Sequence, residues 1–221
     1  MSKLNGARSG CRDVFHANIL HDAKYDGFIE IPVIEPESLL PNRLISFSKA
    51  LRTDDYDQWV HFYEDDALFE RVWNRPTIYL KILQRFNGVI TPDFSLYRDM
   101  PLAMQQWNTF RGKALGQWWQ KNGIHVIPNV RFGDERTYPF CCNGIRKNTP
   151  ICIGSHGCIR IRSDKEYFKK GLNYVVNHLN PSYIIIYGSI PDDVFSFCHE
   201  LNIPFLQFDS DYSISHQKEN A

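Results

Sequence analysis

Short apolar runs recur along this sequence with longer stretches of helical periodicity between them, and this alternation constrains the fold more than any other feature. The runs are GFIEIPVI (27–34), LISFSKA (44–50), WVHFYED (59–65), GVITPDF (88–94), IHVIPNVRF (124–132), PICIGS (150–155), SYIIIYG (182–188) and IPFLQFD (203–209). Most are nearly continuous in apolar residues, as strands buried on both faces are. A strand–helix–strand order implies right-handed crossovers and parallel neighbours. The pattern predicts one α/β domain, a compact or distorted (β/α) barrel with largely parallel strands, with an open doubly wound sheet as the alternative. No G-x-G-x-x-G follows a strand and no P-loop motif is present, so neither nucleotide-binding fold has motif support.

The helices fill the gaps. Residues 66–86 open on Asp66, which suits a helix N-terminus, and Pro76 is expected to split the segment in two. Residues 101–122 end on Asn122-Gly123, a good stop signal. Residues 164–179 and 191–201 supply the last two helices. The domain is expected over 27–212, with an N-terminal extension (1–26) and a flexible C-terminal tail (213–221).

Composition enters where it excludes function classes. Twenty-five basic residues balance 25 acidic ones, so a non-specific nucleic-acid binder with a basic surplus is not indicated. No apolar run has the length of a signal peptide or a membrane span, so a cytoplasmic protein without membrane contact is expected. Cys11, Cys141, Cys142, Cys152, Cys158 and Cys198 form no C-x-x-C pair. Buried free thiols are the plain expectation. Zinc held by Cys141, Cys142, Cys152, Cys158 and His156 is the alternative, with poor ligand spacing. No metal and no cofactor are predicted.

In either architecture ligands bind beyond the C-terminal ends of the strands, so the residues just after each run are the candidates. They bring carboxylates, an arginine, a histidine and hydroxyls to one rim. Asp65, Asp93, His156 and Asp209 are the candidate catalytic residues, since paired carboxylates share acid and base work when their surroundings differ. Asp66, Ser95, Asn129, Arg131, Ser155 and Tyr187 are the candidate substrate-binding residues, with Arg131 suited to an anion such as phosphate. Asp and Ser at strand ends also cap helices, which competes with the functional reading at each single position.

Three resemblances bear on function. Ser-His-Gly-Cys-Ile-Arg at 155–160 resembles the active-site signature of L,D-transpeptidases, in which Cys158 would be the nucleophile. That family implies an all-β catalytic domain in an exported protein and a His-Gly pair 15 to 20 residues earlier, where this chain has Phe140-Cys141-Cys142. LISFSKAL (44–51), HFYEDDALFERVW (61–73), GVITPDFSLYRDMPLAMQQWNTFR (88–111), IHVIPNVRFGDERTY (124–138), IGSHGCIR (153–160) and IIIYGSIPDDVF (184–195) resemble domain-of-unknown-function family 4417 over about residues 30–210. That resemblance implies a protein of phage, prophage or mobile-element type and names no activity. A weaker likeness joins Asp93 and Ser95, Ile153-Gly154, Tyr187-Gly188-Ser189 and Asp209 to tRNA-guanine transglycosylases, without that family's zinc-binding cysteines. The expected function is an enzyme acting on a nucleotide, a nucleobase or a nucleic-acid-linked sugar. The rival is a binding module that sequesters a host protein or small ligand, with Trp107, Trp118 and Trp119 as its face.

Overall fold

The structure is a computed structural model that describes residues 16–159 and 161–219; Cys11 lies outside them. Nine strands occur among the described residues. β1 (Tyr25–Asp26) and β2 (Ile31–Pro32) form a small antiparallel hairpin. β3 (Leu44–Ser46), β4 (Trp59–His61), β5 (Gly88–Ile90) and β6 (Val126–Ile127) form a parallel sheet in chain order. β7 (Ile151–Gly154), β8 (Ile184–Tyr187) and β9 (Phe205–Phe208) form a second one, also parallel and in order. A parallel bridge between Asn129 and Cys152 joins the two, with Val130 N–H donating to the Cys152 carbonyl and Cys152 N–H to the Pro128 carbonyl.

Each of the eight apolar runs contains a strand, but the first does not join the parallel array. Gly27, at φ +71°, turns the chain into the hairpin, and Pro32 brings no N–H to a ladder. Ile34 makes an isolated parallel bridge to Ile145, in the segment before β7.

The connecting helices are α1 (Phe47–Ala50), α2 (Asp66–Phe69), α3 (Arg71–Asn74), α4 (Pro76–Leu83), α5 (Leu102–Lys121), α6 (Tyr138–Cys141), α7 (Arg162–Leu179), α8 (Asp192–Glu200) and α9 (Asp211–Glu219). The 66–86 segment makes three helices rather than two. It breaks at Glu70 as well as at Arg75, which takes an extended φ of −139° before Pro76. α9 covers much of the span read from sequence as a tail. No helix among the described residues is long and apolar enough to cross a membrane.

Strand alternation divides the core into three clusters. Val60, Phe62, Val89 and Val126 face α5 and its neighbours, with Trp119 fully buried among them. Ile151, Ile153, Ile184 and Ile186 pack under α7 and α8. The opposite faces meet in a third cluster that draws on all seven parallel strands: Leu44, Trp59, Ile90, Ile127, Cys152, Ile185, Leu206 and Phe208. The sheets curl around this cluster. Tyr63, after β4, stacks on Tyr187 of β8 at 4.9 Å, and Lys49 of α1 pairs with Asp211 of α9 at 2.7 Å. Among the described residues no ladder joins β3 to β9, so the structure is a mixed α/β fold with curled parallel sheets rather than a demonstrated closed barrel.

Candidate functional site

Three neighbouring strands, β5, β6 and β7, deliver one polar constellation at their C-terminal ends. Asn129 is its hub. Its backbone N–H donates to Thr91 Oγ1 at 2.8 Å and its carbonyl accepts from Lys113 Nζ at 2.6 Å. Its side chain donates to Asp93 Oδ1 at 2.7 Å and accepts from the Tyr63 hydroxyl at 2.8 Å. Asp93 Oδ2 also accepts from Arg131 Nη1 at 3.2 Å. The same Nη1 lies 3.3 Å from Cys158 Sγ. Tyr63 OH lies 3.0 Å from Cys152 Sγ.

Burial sets the electrostatics here. It raises the Asp93 pKa above the usual carboxylate value, against the pull of Arg131 and the Asn129 hydrogen bond. The Asp93 carboxylate, with the Cys158 thiol second, holds Arg131 more firmly protonated than usual. Burial lowers Lys113 to about 8 and raises Cys152 to about 12. Burial first, then Cys152 and Asp93, hold the Tyr63 phenol well above its ordinary value. Shifted groups gathered in one place mark functional sites more often than scattered ones do.

Of this constellation, Arg131 and Cys158 line a cavity of about 500 Å³. Tyr97, Arg98 and Asp99 line it from the segment after β5, Arg131 and Gly133 from the segment after β6, and Cys158 from the turn after β7, with Tyr167 of α7 at the side. The Arg98 guanidinium lies 4.2 Å from the centre of the Tyr167 ring and pairs with Asp164.

Of the residues expected from sequence, Asp93, Asn129 and Arg131 come together here. Asp65 accepts from Ala67 N–H and caps α2. Asp66 accepts from the Ser95 N–H and hydroxyl, which ties the segment after β5 to the start of α2. Ser155 is buried and donates to the Ser189 carbonyl. Tyr187, pushed up to about 12 chiefly by burial, accepts from Asp211 N–H. His156 stands on the exposed turn with its ring 5.9 Å from Tyr212, and Asp209 is exposed at the end of β9. No three His, Cys, Asp or Glu residues group for a metal among the described residues. Cys141, Cys142, Cys152 and Cys198 are buried and free, while Cys158 is partly exposed.

Tyr63, Lys113, Tyr97 and Tyr167 escaped the sequence reading. Tyr63 left a signal, since Trp59, His61 and Tyr63 share one face by period-two alternation. Lys113 left none. A lysine in the middle of a long helix reads as solvent-facing, and here it is buried.

The sequence profile of the Domain of unknown function (DUF4417) matches residues 23–209. The chain belongs to the DUF4417 family. This DUF4417 chain is 32% identical over 179 residues to the Gene 1 protein of Mycobacterium phage D29, covering 79% of this chain and 64% of the relative. It is equally similar to the Gene 1 protein of Mycobacterium phage L5, there covering 76% of the relative. The matched region thus spans under two thirds of the D29 protein. No solved structure matches the DUF4417 chain. The phage-type affiliation expected from the sequence blocks therefore stands. The frame around Cys158 is parallel α/β, unlike the all-β frame that the transpeptidase resemblance implies.

Proposed function

We propose that this DUF4417 protein is an enzyme acting on a nucleotide, a nucleobase or a nucleic-acid-linked sugar. One observation carries the proposal: Arg131, held by Asp93 and backed through Asp93 by Asn129, lines a cavity of about 500 Å³ beyond the C-terminal ends of the parallel strands β5 and β6. That is where ligands bind in barrels and in open parallel sheets alike, and the volume suits a mononucleotide. An incompletely closed (β/α) barrel is the architecture that fits best. Asp93 is the general base or nucleophile, because burial keeps its proton affinity above that of an exposed carboxylate. Arg131 anchors phosphate. Its planar fork has five N–H donors, so it keeps Asp93 while turning others to an anion. Asn129 and Tyr63 act as positioning residues that fix the Asp93 carboxylate.

The test incubates the full chain with nucleoside mono- and diphosphates and short oligonucleotides, reading binding by calorimetry and products by mass spectrometry. Asp93→Asn should keep binding and the folded circular-dichroism spectrum while losing turnover at least ~100-fold. Arg131→Ala should lose phosphate binding. Binding without turnover in the parent chain would favour the non-catalytic binding module instead. No binding of any phosphate compound would overturn the proposal.

A further inference from the structure

The cavity has a wall as well as a floor, and the wall is aromatic. Tyr97 is 59% exposed and Tyr167 36% exposed. They come from different elements, the segment after β5 and helix α7, and both line the cavity that Arg131 floors. Arg98 adds a guanidinium plane against Tyr167 and is itself held by its ion pair with Asp164. Arg136 donates to the Arg98 carbonyl and fixes the backbone of the same segment. Asp99, also on the cavity lining, offers acceptors for hydroxyl or amino groups.

This arrangement does more than bind an anion. A sugar phosphate would need the cation and a few hydrogen-bonding groups, and would leave much of the two ring faces uncovered. A planar ring carried on a phosphorylated sugar would use both regions at once, its phosphate on Arg131 and its π-face on the tyrosines. We propose that Tyr97 and Tyr167 form a base-stacking subsite, so that the ligand class is the nucleoside 5′-monophosphate, free or terminal on a strand, rather than the base-free sugar phosphate. This rests on the preceding reading of Arg131 as phosphate anchor. It assigns the tyrosines to ligand recognition and not to the chemical step.

Calorimetry on the full chain tests it with three kinds of probe: the four common nucleoside 5′-monophosphates, ribose 5-phosphate and inorganic phosphate. At least one nucleotide should bind ~10-fold or more tightly than ribose 5-phosphate. Tyr97→Ala and Tyr167→Ala should remove that preference, a loss of roughly 5- to 100-fold in nucleotide affinity, as for a lost stacking contact. Both should leave ribose 5-phosphate affinity unchanged. Tyr97→Phe and Tyr167→Phe keep the ring and should keep the preference, which separates stacking from loss of fold. Equal affinity for nucleotide and ribose 5-phosphate, or alanine variants that bind nucleotide like the parent, would overturn the subsite while the Arg131 anchor stands. If Arg131→Ala leaves every phosphate affinity unchanged, the anchor fails, and the subsite with it.

Discussion

Asp93 is subject to two opposed influences, burial favouring its neutral form and Arg131 its charged one. Asp65, only 28 residues earlier and read from sequence as its equal, is exposed at the surface. Its carboxylate caps a four-residue helix. The two residues should therefore part in mutagenesis. Asp65→Ala should cost about 1 kcal/mol of stability and Asp65→Asn only a few tenths, because asparagine caps as well as aspartate. Neither should change catalytic turnover. Urea denaturation read beside the product assay checks this, and a turnover loss in Asp65→Asn matching that of Asp93→Asn would return Asp65 to the site. Cys158 is a second point of decision. Its thiol lies 3.3 Å from the Arg131 guanidinium, a permanent cation that cannot serve as a base. Cys158→Ser should keep turnover. Loss of turnover in Cys158→Ser with nucleotide binding kept would restore the cysteine-enzyme reading.

Helix placement depends on glycines at two close approaches. A Cβ on Gly171 of α7 would lie 2.2 Å from the Phe132 ring, and one on Gly154 of β7 would lie 2.7 Å from the Tyr63 ring. Gly171→Ala should destabilise by about 1–3 kcal/mol, since α7 must back away from a buried ring in a close-packed core. Gly154→Ala should displace Tyr63 and weaken nucleotide binding through Asn129, with a smaller change in the urea midpoint. Equal losses of binding in both variants would argue for general loosening. Element by element, the sequence was most legible where apolar runs are long. Residues 151–154 and 184–187 are strands because nothing polar interrupts them, and α5 and α7 end where Asn122 and Asn180 stand as C-caps. Short helices such as α1 and α6 left too few turns to show a period. The candidate site was legible at Asp93, Asn129 and Arg131 because each follows a strand. Tyr97 and Tyr167 lie outside the strand runs, and only the folded chain brings them to one cavity.

At the scale of the molecule, the curled sheets trap a histidine. His61 is buried between Tyr63 and Tyr187, with ring centres 5.5 and 4.4 Å away, and its Nδ1 accepts from Tyr63 N–H. Burial lowers its pKa to about 3 from the ordinary 6.5, partly offset by Asp211. Between those two values the unfolded chain holds the imidazole proton and the folded chain does not. Stability is therefore fully present above about pH 6.5 and is lost as pH falls towards 3, at up to roughly 1.4 kcal/mol per pH unit from this group. Urea titrations at pH 7.5, 6 and 5 should show the decline beginning above the range where carboxylates titrate. His61→Phe should flatten it, and a parallel decline in parent and variant would assign it elsewhere.

The join between β6 and β7 has a consequence for how the chain breathes. Among the described residues the backbone ladders of the four-stranded and three-stranded sheets meet at the Asn129–Cys152 bridge, and the third apolar cluster packs across both. Regions with separate cores open as separate cooperative units, and a weak joint between them is where they come apart first. Native-state hydrogen exchange should therefore sort the amides into two protection classes divided near residues 128–150. The Asn129 side chain and backbone sit on that boundary, so a ligand gripping Arg131 from one side and the turn at Cys158 from the other would clamp the two units together. Nucleotide binding should then slow exchange far from the cavity, in β3 and β9, as well as beside it.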